Sequence, residues 1–309
     1  MHRTLELTVP PAATDTLSEQ LKNVEDVIGL SVSRGASLKP AGDVLTVHVL
    51  NKGADEVLRR ALAAVGDPRL LSVVTSEANS FIAPAAHDVV DDDRDEAIWE
   101  EMESGLRHQG RITANYLLLM GLGGIVAAIG LVSEPVPQAV AFVASAVIAP
   151  GFDPMTKVPL GLVLGHRRLV WEGVKSAVAG YAVLVALAAV TTGALVAAGE
   201  TSAGALAANG EVAHLAHPKL MELLLAAAGA LAGVVTLAAF RRSFQAGPLI
   251  AMAFIPAAAL MGAGLAVGRW DLAGEGLERF GADWGFILAL GMPFLWLKQR
   301  FVHRRKPLV

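Results

Sequence analysis

The chain has 309 residues, of which 54% are hydrophobic and 17% are charged, and its formal net charge is −4. It contains no cysteine, which excludes disulfides and thiolate chemistry within it. Residues 1–100 have an ordinary polar composition, so the apolar excess is concentrated in the remainder. We therefore expect a polar N-terminal domain followed by a helical membrane domain.

Residues 1–86 are predicted to form a small α+β domain. Its strand-like stretches alternate apolar and polar residues, as Leu5, Leu7 and Val9 do, whereas its helical stretches repeat apolar residues with the helical period. The predicted elements in chain order are the strand Thr4–Val9, the helix Thr14–Val27 capped by Thr14 or Asp15, the strands Gly29–Ser33 and Val44–Leu50, the helix Ala54–Val65 and the strand Leu70–Ser76. This β-α-β-β-α-β order is ferredoxin-like. By analogy of fold alone, such a sheet dimerises or binds a small ligand.

Residues 87–111 are predicted to form an acidic linker and a juxtamembrane helix. Only Arg94 balances the acidic residues between Asp88 and Glu103. One interpretation is a solvated linker that turns into a helix, because the first turn of a helix favours acidic residues. The other is a surface that collects cations or senses a divalent ion.

Residues 112–300 are predicted to be the transmembrane domain, followed by a basic tail at 301–309. A helix needs about 20 apolar residues to span the hydrocarbon of a bilayer. The predicted spans are Ile112–Val132, Val136–Phe152, Ser176–Gly199, Leu223–Phe240, Ser243–Gly268 and Trp284–Leu297, the last of which extends back to Phe280 if Asp283 lies at the interface. We therefore expect six spans.

The distribution of basic residues predicts the sidedness of these spans. When six spans alternate, most of the flanking arginines and lysines fall on one side, and only Lys219, Arg269 and Arg279 fall on the other. The residues on the basic side are Arg107, Arg111, Arg167, Arg168, Arg241, Arg242, Lys298, Arg300, Arg304, Arg305 and Lys306. Met1–Pro10 does not resemble a signal peptide. We expect both termini in the cytoplasm and the chain in the cell membrane.

The transmembrane domain is predicted to contain two copies of one unit, at 112–199 and 219–298. Asn115–Pro150 aligns with Met221–Pro256, and after a length difference Gly161–Gly173 aligns with Gly264–Gly276, including a Glu-Gly pair in both copies. Three spans per copy is an odd number, so the second copy is inserted upside down. The predicted architecture is therefore a pair of inverted repeats.

The second span of each copy is predicted to break inside the membrane. Proline removes a backbone donor and clashes with the preceding turn, so the first copy should break near Pro150–Asp153. Broken helices at matching positions of two repeats indicate a transport site. The residues predicted to line the path are Pro150, Gly151, Asp153, Lys157, Pro256 and Gly262.

Asp153 and Lys157 also have a structural interpretation, which stays open at this point. Asp153 before Pro154 fits a helix N-cap with proline at the first helical position. Lys157 then pairs with Asp153 across one turn. Charges inside a membrane are nevertheless costly and favour a functional role.

Further candidate residues lie at the ends of the following helices. Glu172 and Glu275 are possible ion or proton sites, or alternatively interfacial acids near helix N-termini. The paired glycines are predicted to allow close contact between helices: Gly161 with Gly165, Gly264 with Gly268, and Gly229 with Gly233. His214 and His217 lack a third metal ligand nearby, so we expect no metal site and no cofactor.

Several short stretches resemble an uncharacterised hydrophobic membrane protein family, domain of unknown function 389. They are Ala144–Pro150, Gly161–Gly165, Ile255–Pro256 and Gly264–Gly268. The resemblance covers roughly Ile112–Leu297 and implies a polytopic membrane protein, often with an N-terminal α/β domain. The family's glycine is usually followed by aspartate, whereas His166 and Arg269 follow it in this chain.

These observations favour a channel or secondary transporter for a small ion or polar solute, regulated by the N-terminal domain. The alternative is a membrane-anchored ligand sensor or an oligomeric scaffold without transport. No Walker-type loop, HExxH motif or usable Ser-His-Asp pattern is present, so we do not expect an enzyme. The expected partners are a small ion or polar solute, the lipid bilayer and further copies of the chain, and no nucleic acid.

Overall fold

The computed structural model describes residues 2–78, 93, 96–239, 253–303 and 307. These residues belong to two compact units. The sheet unit contains the described residues up to Met102, together with Ala238, Ala239 and the described residues from His303 onward, and the helical unit contains the rest. The predicted boundary at residue 86, most of the acidic linker, Arg241, Arg242 and the basic residues 304–306 lie outside the described residues.

The sheet unit has a four-stranded antiparallel sheet in the order β2-β3-β1-β4. Its elements in chain order are β1 (His2–Val9), α1 (Pro11–Lys22), β2 (Val27–Leu38), β3 (Ala41–Leu50), α2 (Ala54–Val65) and β4 (Ser72–Ala78). The predicted β-α-β-β-α-β order is confirmed, and the strand order is that of a split β-α-β arrangement. Alternate residues of β1, among them Leu5 and Leu7, are buried beneath the helices.

The predicted cap of the first helix is wrong. The helix begins at Pro11, because proline has its φ angle preset for the first helical position and needs no amide partner there. Thr14 is instead buried inside α1, where its hydroxyl donates a hydrogen bond to Asp43 at 2.7 Å. The hydroxyl therefore ties α1 to the start of β3.

The helix α3 (Trp99–Gln109) follows the acidic linker. A helix is thus present where the sequence predicted one, but its acids are not all solvated. Glu101 is buried and forms an ion pair with Arg3 at 2.8 Å. Glu103 is also buried and contacts Arg107 and His166. Paired burial of this kind explains how acidic side chains remain in a folded helix.

The helical unit is built from nine further helices in the described residues. They are α4 (Ala114–Val132), α5 (Pro135–Ile148), α6 (Phe152–Leu164), α7 (Arg167–Ala197), α8 (Ala203–Ala208), α9 (Gly210–Ala216), α10 (Leu220–Ala238), α11 (Phe254–Ala266) and α12 (Trp270–Phe301).

Four of these helices are long and apolar enough to cross a membrane, namely α4, α7, α10 and α12. The bent pair α5 and α6 makes a fifth candidate if it counts as one span, and α11 is a shorter apolar helix. These helices are compatible with a multi-pass membrane protein. The predicted span Ser243–Gly268 begins outside the described residues.

The two short helices α6 and α11 lie inside the helical unit. Every residue from Phe152 to Gly161 is buried, and α11 is buried almost as completely. The long helix α7 packs against both of them, and so does α12. A Cβ atom at Gly262 would overlap the backbone carbonyl of Val185, so this glycine lets α11 approach α7 closely.

The glycine pairs do not all serve helix contacts, which corrects the sequence interpretation. Gly165 and Gly268 have φ angles of 69° and 73°, with no neighbouring atom within 4 Å of the Cβ position. Gly165 and Gly268 come directly after the short helices α6 and α11, where a residue in the left-handed conformation closes the last helical turn. Gly161, Gly264 and Gly233 do pack closely against neighbouring atoms.

Candidate functional site

The first short helix begins at a break in the helical unit. Ala149, Pro150 and Gly151 separate α5 from α6, and the two helix axes are bent by 52°. Proline ends the hydrogen-bonding of α5, and a Cβ at Gly151 would overlap the Tyr181 hydroxyl. The predicted break near Pro150 is present at this point of the chain.

Asp153 lies in the first turn of α6 and is not its N-cap. The N-cap position belongs to Gly151, and no side chain caps the helix. Only 6% of Asp153 is exposed, and its Oδ1 atom accepts no hydrogen bond from any residue that the structure describes. The positive end of the helix dipole favours a carboxylate at this position. Asp153 is therefore a buried acid held by a dipole rather than by a donor to Oδ1.

Lys157 does not form the predicted hydrogen-bonded pair with Asp153. Its Nζ atom donates to the backbone oxygen of Gly110 at 2.6 Å, and the residue is 1% exposed. Gly110 directly follows α3, where carbonyl oxygens have no partner within the helix and carry partial negative charge. The Lys157 ammonium group therefore donates to this carbonyl, and Asp153 Oδ1 has no donor among the described residues.

Two tyrosines extend the polar interior from Asp153. Tyr116 on α4 donates its hydroxyl to the backbone oxygen of Ser176 at 2.8 Å. Tyr181 on α7 is buried, and its hydroxyl has no hydrogen-bond partner in the described part of the chain. Its ring packs edge-on against Phe280, with centroids 4.6 Å apart. Packing therefore fixes the ring and its oxygen, while the hydroxyl proton has no acceptor among the described residues.

A second buried charge pair lies on α12, and the sequence analysis missed it. Arg279 Nε and Asp283 Oδ1 are 3.3 Å apart, and neither residue is more than 5% exposed. The sequence analysis placed Asp283 at the interface if the last span extends to Phe280, and Arg279 among the residues that flank the spans, but it did not predict that both are buried inside the helical unit. Their spacing of one helical turn within an apolar stretch was the available signal.

The two tyrosines lie between the helix break and α12. The Tyr181 hydroxyl lies against Gly151 at the break, and the Tyr181 ring packs on Phe280 of α12. The Tyr116 hydroxyl lies against Gly180, the residue before Tyr181. Both oxygens of Asp283 lack a hydrogen bond of good geometry within the described residues. The interior of the helical unit thus contains a polar series that leads from α6 to α12.

The remaining predicted site residues lie away from this series. Pro256 is in the first turn of α11, whereas Pro150 precedes α6, so the two prolines are not equivalent. Gly262 contacts the backbone of α7. Glu172 is paired with Arg168 at 2.8 Å, and Glu275 lies 3.6 Å from His217. The structure does not bring these groups together with Asp153.

The two histidines His214 and His217 contact different carboxylates. His214 contacts Glu222 at 3.0 Å, while His217 contacts Glu275. No group of three or more histidine, aspartate or glutamate side chains suited to a metal occurs among the described residues. Zinc sites in proteins use at least three such ligands.

The aligned segments Gly161–Gly173 and Gly264–Gly276 have the same local geometry. The residue after Gly165, His166, has φ −94° and ψ 82°, and the residue after Gly268, Arg269, has φ −95° and ψ 83°. A Cβ at Gly173 would lie 2.9 Å from a backbone oxygen of α6, and a Cβ at Gly276 would lie 2.8 Å from one of α11. Gly165, His166 and Gly173 thus correspond in order and spacing to Gly268, Arg269 and Gly276.

The sheet unit contains a separate group of buried charges. His303 contacts Asp55 at 2.6 Å and Glu96 at 3.3 Å, and its ring lies against that of Trp99. Burial lowers the pKa of His303, but hydrogen bonds to Asp55 and Glu96 outweigh it and raise that pKa above its ordinary value. Protonated His303 is thereby held between two carboxylates.

Comparison with known proteins finds a family that is similar to part of the helical unit. Residues 146–289 match the family Domain of unknown function (DUF389). The resemblance inferred from the short stretches is thereby confirmed over this part of the chain. No curated protein matches the chain. The matched segment runs from the end of α5 to the middle of α12 and contains Asp153, Tyr181 and Asp283.

Proposed function

We propose that the chain is a channel or secondary transporter for a small ion or polar solute, with its path through the interior of the helical unit. The carrying observation is Asp153, a buried acid at a helix break whose Oδ1 has no donor in the described residues. An ionisable group inside a membrane costs at least about 2.5 kcal/mol, so groups of this kind mark ion and substrate paths.

The architecture that we propose is a pair of inverted three-span repeats with six spans. The common geometry after Gly165 and Gly268 supports a duplicated unit. In the proposal, α11 and the residues before it correspond to the bent pair α5 and α6. Short, interrupted helices at matching positions of two repeats are typical of secondary transporters.

Within this proposal the path residues have different roles. Asp153 presents its negative charge to the solute, and Pro150 and Gly151 interrupt the helix next to Asp153. Lys157 balances the charge of Asp153 while it anchors the end of α3 through Gly110. Pro256 lies in the first turn of α11 beside the path, Gly262 sets the separation of α11 from α7, and Glu172 with Glu275 lie toward the two mouths.

We also propose that both termini are cytoplasmic, that the sheet unit regulates transport, and that the chain forms a homo-oligomer in the cell membrane. The sidedness rests on the concentration of basic residues in alternate connections. The regulatory role rests on the sheet unit having its own hydrophobic core, since a membrane anchor needs no such domain.

The test is flux through purified protein in liposomes, with monovalent cations, anions, protons and small polar solutes. Asp153→Asn and Lys157→Gln should reduce flux strongly, whereas the exposed residue Glu278 on α12, as Glu278→Gln, should leave it unchanged. If no solute crosses with wild-type protein, transport is refuted. The sensor or scaffold alternative then gains support if substitutions in residues 1–86 abolish function.

A further inference from the structure

Two buried acids on different helices share an unusual environment. Asp153 on α6 and Asp283 on α12 are 6% and 0% exposed, and Oδ1 of each makes no hydrogen bond of good geometry with the described residues. Each acid has a cationic neighbour one turn away on its own helix. Lys157 follows Asp153 on α6, and Arg279 precedes Asp283 on α12. A buried carboxylate without donors is neutralised most readily by taking up a proton.

Two hydroxyl groups lie near these acids. The Tyr181 hydroxyl lies against Gly151, two residues before Asp153, and the Tyr181 ring packs on Phe280, one turn before Asp283. The Tyr116 hydroxyl lies against Gly180, the residue before Tyr181. The Tyr116 hydroxyl donates to Ser176, which leaves its oxygen able to accept. The Tyr181 hydroxyl has no partner in the described residues. A polar group left unpaired at such depth is costly, which indicates a use other than packing.

From this arrangement we infer that the ion carried or coupled by the helical unit is the proton, and that Asp153, Tyr116, Tyr181 and Asp283 form its relay. The inference rests on the proposed function and identifies the ion at the same site. A proton is relayed along hydroxyl and carboxyl groups, so it needs no wide pore.

The neighbouring charges favour a proton over a metal or alkali cation. No cluster of three acidic or histidine ligands occurs among the described residues, so a divalent ion has no cage. Lys157 beside Asp153 and Arg279 beside Asp283 would repel a second cation. Glu172 and Arg107 also act on Lys157, and their opposite charges partly cancel there.

Proton movement through this series balances without any co-reactant. A proton binds the carboxylate of one aspartate, and each tyrosine accepts a proton on its oxygen as it releases its own. The other aspartate releases a proton on the far side, and both tyrosines end neutral. Lys157 and Arg279 keep their positive charge throughout and compensate each aspartate while it is ionised.

Tyr181→Phe is the discriminating variant. It removes only the hydroxyl, which makes no hydrogen bond in the described residues, and it keeps the ring that packs on Phe280. A merely structural role therefore predicts normal behaviour. The relay predicts a loss of proton flux of about 100-fold, the scale on which one positioned proton-transfer group acts.

The measurement uses liposomes with the full chain, a pH-sensitive dye inside and an imposed pH gradient. Wild-type protein and Glu278→Gln should acidify the interior, and Tyr181→Phe and Asp283→Asn should not. Infrared difference spectra should also contain a protonated carboxyl band that Asp283→Asn removes. This band reports proton binding independently of flux.

The outcomes separate the two proposals. If another solute crosses without proton movement and Tyr181→Phe transports normally, the relay is overturned and the transport function stands. If neither protons nor any solute cross, both fail. Proton flux that survives Tyr181→Phe, with no carboxyl band assigned to Asp283, also overturns the relay.

Discussion

Buried carboxylates occur in both units of this protein, but they are satisfied differently. In the sheet unit, both oxygens of Glu101 accept from Arg3, at 3.0 and 2.8 Å, and His303 contacts two further carboxylates. In the helical unit, Asp153 and Asp283 keep oxygens without a hydrogen bond of good geometry in the described residues. Complete pairing is what stability requires, whereas incomplete pairing in an apolar interior indicates a group that exchanges partners.

The largest effect on stability is expected from breaking a satisfied pair. Arg3→Met leaves Glu101 buried without its cation, which should destabilise the sheet unit by about 3–5 kcal/mol. Hydrogen–deuterium exchange of the β1 amides in the full chain measures this change. Adding Glu101→Gln to Arg3→Met should recover part of the loss, and a single-variant effect below about 1 kcal/mol would contradict the contrast between the units.

A steric change in the helical unit should have an intermediate effect. Gly262→Ala places a methyl group against the backbone of α7, which should cost about 1–3 kcal/mol. Gly274→Ala on α12 is the matched control, because its Cβ position has no atom within 4 Å and alanine favours helix. Thermal unfolding in detergent compares the two. Equal melting temperatures would mean that α11 and α7 are not closely packed at this point.

Removing an unsatisfied charge should change stability least among the buried charges. Asp153→Asn keeps the side-chain volume and removes a charge whose Oδ1 has no donor, so stability should change by less than about 1 kcal/mol or increase. The same variant should lose transport. If Asp153→Asn destabilises the helical unit as strongly as Arg3→Met destabilises the sheet unit, Asp153 has a structural role.

The pH dependence of the sheet unit should be the smallest effect. The raised pKa of His303 contributes stability that is complete below its unfolded value of 6.5 and is lost as pH rises through the folded pKa. Protection of the amides in residues 96–102 should therefore decrease as pH rises above this range. His303→Gln should remove that pH dependence, and an unchanged profile in the variant would exclude His303 as its source.

The sequence predicted the sheet unit well because its signals are local. Alternation in β1 and the helical period of Ala54–Val65 are confirmed with nearly the same bounds. The cap of α1 was misplaced because two adjacent side chains fitted the pattern, whereas Pro10 and Pro11 set the start of the helix. The order of helices and strands in the sheet unit leaves few possible topologies.

In the helical unit, the sequence located the break but not the partners of its charges. Prolines mark a break locally, so Pro150 was informative. Lys157 binds Gly110, which lies far away in the chain, and no helical spacing reveals such a contact. The burial of Asp283 was not predicted, because hydropathy averages over a window and does not distinguish a lipid-facing residue from one that faces other helices.

The central claim is that solute reaches the interior of the helical unit at the break, and the absence of native cysteine allows a direct test. Asp153→Cys and Leu184→Cys each introduce a single thiol at a buried position of the helical unit. A membrane-impermeant thiol reagent should label the cysteine at 153 in membranes and leave the one at 184, in the apolar core, unlabelled. Equal reactivity at the two positions, or none at 153, would contradict an aqueous path through the break.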